Sequence, residues 1–201
     1  VTMMKLVDLS VQEFVTQLAN PNGGPGGGSA AALLGLSGMA LLQMALGRLE
    51  DSVCQQKLAA FIKELMQLID EDQRAYAAMA HLLSHGKEDK LPNIELEQAV
   101  LHAIEVPHSV SKACVTGLNM VEQAICKVPS EMLSELLVAA EALQAGVASS
   151  AMNMRVNLVF LQDSVAIEHY EQLIAQYREQ GKKLLKHIDQ SIVQQQRKGH
   201  E

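Results

Sequence analysis

Residues able to do chemistry fall in three places along the 201-residue chain. The first is Asn22-Gly23-Gly24-Pro25-Gly26-Gly27-Gly28-Ser29, five glycines and a proline opening onto the small and apolar run that begins at Ala30. Glycine admits backbone conformations closed to other residues and lets a ligand come close to the chain. With Ser29 as N-cap, a helix start there offers free N–H groups to an anionic or carbonyl group. A turn leading into a tightly packed helix explains the same residues, and the spacing is neither GxGxxG nor GxxxxGK[ST]. The second place is Asp72, on the line Phe61, Leu65, Leu68, Ile69, Asp72, Tyr76, Met79, whose other members are apolar or tyrosine. A carboxylate on a buried stripe costs several kcal/mol unless it is paired, hydrogen-bonded or protonated. It is then either a structural carboxylate or a general acid/base with a raised pKa; its neighbour Asp70 points elsewhere and reads as surface. The third is Asn153, Arg155 and Asn157, which interrupt an apolar surround. Arg155 stays charged, so its burial requires a carboxylate such as Glu135 or Asp163, or a ligand anion.

Other chemistries lack support. The seven histidines show no metal-ligand spacing, and no Ser-His-Asp or Cys-His order stands out. Three scattered cysteines make neither a disulfide framework nor a zinc site and suit buried thiols in a reducing cytosol, so a cytoplasmic location is expected. A formal charge of −7 with no basic block disfavours nucleic acid as a partner.

The elements that must position these residues are helices. Hydrophobic residues make up 48% of the chain but aromatics only 3%, so the core is aliphatic, and no strand-like alternation of useful length occurs. The expected architecture is all-α, a single-domain bundle of about six helices spanning 1–201. Ser10-Val11-Gln12-Glu13 is a capping box for a short first helix. A small-residue helix runs to about Leu49, a third from Ser52 to Ser84, and a fourth from about Asn93 that Pro107 should kink or restart. Further helices run from Pro129-Ser130 to about Leu161 and from about Val165 to Arg197. The Ala30–Leu46 run is short and glycine-rich for a membrane span and lacks a basic n-region, so no membrane or signal segment is expected. Two helices are apolar nearly all round, the one after the glycine loop and the one before Asp163. A bundle of this size encloses about one, so the second predicts an oligomer, a homodimer at the least.

Taken together, these motifs resemble the formiminotetrahydrofolate cyclodeaminase / methenyltetrahydrofolate cyclohydrolase family. Asn20-Pro21 and Pro25-Gly26-Gly27-Gly28-Ser29-Ala30-Ala31 are similar to its glycine-rich signature, and Leu68-Ile69-Asp70-Glu71-Asp72 with Ala75-Tyr76 to its acidic helix. Ala103-Ile104-Glu105-Val106-Pro107, Ser134-Glu135-Leu136-Leu137-Val138 and Asn153-Met154-Arg155-Val156-Asn157-Leu158 follow in the family's order. The resemblance implies a dimerising helical fold with a tetrahydrofolate derivative as substrate, and no cofactor or metal beyond it. It implies Asp72 and Glu135 as catalytic carboxylates, with Gly26, Gly27, Gly28, Ser29, Arg48, Asn153, Arg155 and Asn157 around the substrate. Arg155 or Arg48 would meet a carboxylate of the glutamate tail. Three segments depart from the family pattern. Gly47-Arg48-Leu49-Glu50-Asp51-Ser52 replaces a lysine-rich segment, Glu135 replaces an aspartate, and Ser84-His85-Gly86-Lys87 replaces a Pro-Lys segment. An enzyme acting on the N5–N10 bridge, a folate-binding relative with a silent site, and a helical scaffold all fit these residues.

Overall fold

The computed structural model describes residues 5–21, 23–47, 49, 51–85 and 94–198. Six α-helices account for most of them: α1 (Val11–Leu18), α2 (Gly27–Leu46), α3 (Ser52–His85), α4 (Ile94–Ala124), α5 (Leu133–Leu158) and α6 (Ser164–Lys198). No strand occurs among the described residues. The Ser10 capping box starts α1: the Glu13 N–H donates to Ser10 Oγ, and the Ser10 N–H returns the bond to Glu13 Oε2 at 2.8 Å. Asp70 is more than a surface residue. Its carboxylate accepts the Leu6 N–H and ties the 3₁₀ turn Leu6–Asp8 to α3.

Helices α2 and α5 form the centre, crossing antiparallel at van der Waals distance because glycines line the contact. A Cβ added to Gly38 would fall 2.7 Å from Leu143 and 2.8 Å from the Ala139 carbonyl. At Gly35 it would fall 2.5 Å from the Cys114 sulfur, and at Gly146 2.8 Å from the same atom. Cys114 of α4 is thus wedged where α2 and α5 come closest, and burial pushes its thiol up to about 12. Cys126 is exposed rather than buried, and all three cysteines are free thiols.

Two expectations are corrected. Of the kink or restart expected at Pro107, the restart does not occur: α4 runs unbroken through it from Ile94 to Ala124. A proline inside a helix leaves the carbonyl four residues earlier without its donor, here that of Ala103. The side-chain amide of Asn157 on α5 supplies the missing hydrogen bond, with Nδ2 donating to Ala103 O at 2.7 Å. Ser29 is not the N-cap of α2 either. The helix begins two residues earlier with Gly26 at the cap, which makes no side-chain hydrogen bond, and Ser29 is its third residue.

Candidate functional site

The glycine-rich start of α2 has no side chain of its own to cap it, and a carboxylate from α3 takes that role. Asp72 Oδ2 accepts the Ser29 backbone N–H at 2.8 Å, and Ser29 Oγ lies 3.1 Å from the same oxygen. Gly28 makes the approach possible, since a Cβ there would lie 1.8 Å from Asp72 Oδ1. The acidic helix and the glycine signature are therefore two halves of one device.

Burial pushes the Asp72 carboxyl above the usual carboxylate range, and the two hydrogen bonds from Ser29, which favour the ionised form, do not cancel it. The hydroxyl geometry agrees. Ser29 Oγ has one proton and donates it to the Ile69 carbonyl at 2.9 Å, so it cannot also serve an ionised Asp72 fully. The site can thus hold a neutral acid at a helix start and stabilise its conjugate base when the proton leaves.

This carboxyl opens on a cleft of about 310 Å³. Gly24, Gly26, Gly27 and Gly28 form one wall, Asp72, Gln73 and Tyr76 of α3 a second, and Ala103, Asn153, Val156 and Asn157 the rest. Asn153 Oδ1 sits 3.4 Å from where a Gly27 Cβ would be, so the glycine wall and the asparagine wall touch. Tyr76 departs from the buried stripe on which it was expected: it is 63% exposed, one helical turn beyond Asp72 at the cleft rim. The helical period put Tyr76 on the right face but did not show that the face opens there. Gln73, beside Asp72, carried no sequence signal. Ala103 was visible only as the first residue of the Ala103–Pro107 motif, with nothing to show that its carbonyl would matter.

Of the residues expected around the substrate, Gly26, Gly27, Gly28, Asp72, Asn153 and Asn157 meet at this cleft. Ser29 touches the cleft only through Asp72; it is wholly buried, its hydroxyl committed to Ile69 and the carboxyl. Arg155 is exposed rather than buried, because it projects from the outer side of α5, so no buried partner is required. Asp163 instead caps α6, accepting the Val165 N–H at 2.9 Å. Glu135 stands half-buried in the first turn of α5. It is roughly 18 residues of continuous helix, or about 27 Å at the helical rise, from Asn153. Within one chain it does not reach Asp72. Arg48 lies outside the described residues. No group of three or more His, Cys, Asp or Glu placed to hold a metal occurs among the described residues.

The all-α bundle itself is shared with a known protein. A formiminotetrahydrofolate cyclodeaminase from Thermotoga maritima superposes with a TM-score of 0.82 over 92% of this chain and 96% of that one, at 19% identity, a likeness of fold. The formiminotransferase-cyclodeaminase family model matches residues 10–176, and the chain belongs to that family. Among its relatives, the formimidoyltransferase-cyclodeaminase of Mus musculus is 29% identical over 198 residues and that of Rattus norvegicus 30% identical over 193. Each alignment takes in 88% of this chain but only 36% of the relative, so the chain spans about a third of those proteins. The methenyltetrahydrofolate cyclohydrolase of Methylorubrum extorquens is 26% identical over 79% of this chain and 84% of its own length.

Proposed function

We propose that this protein is a folate one-carbon enzyme that binds a tetrahydrofolate derivative in the glycine-walled cleft and acts on its N5–N10 bridge, with Asp72 as the acid/base. One observation carries the reading: a buried carboxyl, held by the start of α2, facing the floor of a cleft lined by the family's glycine and asparagine motifs. In cyclodeamination, N10 attacks the formimino carbon of 5-formimino-tetrahydrofolate and loses its proton. The resulting amino group takes a proton and leaves as ammonia, giving 5,10-methenyl-tetrahydrofolate. In cyclohydrolysis, water adds to the methenyl carbon, a proton is removed from the adduct, and another is delivered to N5 as the C–N5 bond breaks, giving 10-formyl-tetrahydrofolate. Either route passes through a tetrahedral carbon and needs one group that gives and takes a proton beside it, which a neutral Asp72 with a stabilised conjugate base can do. Glu135 is the second carboxylate of the reading, brought to the cleft by a partner copy in a homodimer.

Methenyl-tetrahydrofolate absorbs in the near ultraviolet, and purified protein is expected to accelerate its formation from the formimino compound or its decay by hydrolysis. Asp72→Asn keeps the shape and the Ser29 N–H bond but cannot cycle a proton, so a loss of at least about a hundredfold is expected. A variant as active as the parent would sink the acid/base assignment. A second reading has its own observation: Gly47-Arg48-Leu49-Glu50-Asp51-Ser52 stands where the resemblance expects a lysine-rich segment. A protein that binds tetrahydrofolate tightly but moves neither absorbance in side-by-side assays would be a folate-binding relative.

A further inference from the structure

Three features coincide at the far wall of the cleft. Pro107 has no N–H, the Ala103 carbonyl one turn before it therefore has no helical donor, and the Asn157 side chain reaches across from α5 to provide one at 2.7 Å. Both Ala103 and Asn157 line the cleft. We infer that Pro107 is a positioning residue for ligand binding: by withholding a backbone donor, it makes the Ala103 carbonyl orient the Asn157 amide, which then presents Oδ1 as a fixed acceptor to an N–H edge of the bound heterocycle.

A carbonyl oxygen accepts and cannot donate, so only the NH₂ side of the Asn157 amide can face Ala103. The planar amide carries Oδ1 on its other side. That oxygen makes no hydrogen bond among the described residues, and one Nδ2 proton is already committed. The amide is thus an unspent acceptor whose orientation is set before a ligand arrives, and preorganisation of this kind lowers the entropic cost of binding. An N–H at residue 107 would compete for the Ala103 carbonyl and loosen its hold on the amide, which could then rotate or flip more readily. A neutral acceptor selects a neutral donor such as a ring N–H or an amino group. A ligand presenting only acceptors along that edge would leave both sides unpaired and bind more weakly. Pro107 itself is buried on the bundle side and does not line the cleft. Its action on the ligand passes through Ala103 and Asn157.

This inference rests on the folate reading for the identity of the heterocycle but not for the orientation of the amide, and two measurements separate them. In ¹⁵N-labelled protein, the Asn157 side-chain NH₂ should be protected from solvent exchange, and Pro107→Ala should raise its exchange rate at least about tenfold, since a lost hydrogen bond leaves the protons open to water. Unchanged exchange in Pro107→Ala would overturn the proposal with no ligand present. Tetrahydrofolate titrated by calorimetry is the second measurement. Asn157→Leu and Pro107→Ala should each weaken binding, by about tenfold for Asn157→Leu, one hydrogen bond converted to affinity. The double variant should bind no worse than Asn157→Leu alone, because both act through one amide. Pro107→Ala should melt no lower than the parent, since it restores a helical hydrogen bond, so weakened binding would not reflect a looser fold. Multiplying effects in the double variant, or Pro107→Ala binding within twofold of the parent, would also overturn it. A parent protein that protects the amide yet fails to bind tetrahydrofolate would strike down the folate reading and leave the Pro107-dependent orientation standing.

Discussion

At the scale of single residues, the site is a contest over one proton. Asp72 sits above the ordinary carboxylate range because burial outweighs the hydrogen bonds from Ser29. The linkage has a definite sign. A carboxyl whose folded pKa exceeds its unfolded value contributes fully below the unfolded value of 3.8, and that stability is lost as the pH rises toward the folded pKa. Asp72→Asn removes the titration, so its melting temperature should gain on the parent as the pH climbs from about 4 through the weakly acidic range, the gap flattening once Asp72 is ionised in the fold. A gap that stays constant from pH 4 to pH 8 would show that burial does not govern this carboxyl. Gly28→Ala probes the same contact from the other side. Its Cβ would lie 1.8 Å from Asp72 Oδ1, so the carboxyl must move off the helix start. The expected result is a stability loss of about 1–3 kcal/mol by denaturant unfolding and an activity as low as that of Asp72→Asn. Asp72 was legible in the sequence because a lone carboxylate on an apolar helical stripe has few explanations. Its partner was legible only as a glycine cluster, since nothing in the spacing of residues 28 and 72 says that one caps the other.

At the scale of elements, the chain uses missing groups as much as present ones. The α2–α5 crossing depends on absent Cβ atoms, and the absent Pro107 N–H leaves a carbonyl of α4 for Asn157 of α5. Helix existence and order could be read from apolar spacing, and the Ser10 capping box from four residues. What pattern alone got wrong were the places where one element completes another. Proline argues for a break in α4 until Asn157 is seen filling the vacancy, and Ser29 argues for an N-cap until Asp72 is seen doing that work. The crossing itself is open to test. Alanine is favoured over glycine in a helix by about 1 kcal/mol, while an unaccommodated methylene in a packed core costs about 1–3 kcal/mol. At Gly35 the added carbon would meet the buried Cys114 sulfur at 2.5 Å, so overpacking wins and Gly35→Ala should lower stability. Removing that sulfur makes room. Gly35→Ala combined with Cys114→Ala should be more stable than the sum of the two single effects, by denaturant unfolding; strict additivity would mean the sulfur is not the obstacle.

The whole molecule leaves α2 and α5 only partly covered. Leu34 and Met44 on α2, and Val138 and Met152 on α5, are exposed although they belong to the two most apolar helices, both long and apolar enough by composition to cross a membrane. A second copy packed on this face would cover them, and the proposed homodimer draws its catalytic logic from the same geometry. Gly27 lies against Asn153, Gly35 against Gly146 and Gly38 against Leu143, so α2 and α5 run antiparallel. The Asp72 cleft is at one end of the pair and Glu135 at the other. A two-fold axis across the middle of the pair would set each cleft beside the partner's first turn of α5. If Glu135 works in the cleft, it works across that boundary, and the consequence is sharp. Asp72→Asn and Glu135→Gln should each be inactive alone. After the two are mixed and allowed to exchange subunits, each heterodimer holds one doubly altered site and one intact site. Random pairing then restores about a quarter of the parent activity. No recovery on mixing, with exchange verified by native mass spectrometry, would confine the chemistry to one chain and remove Glu135 from it.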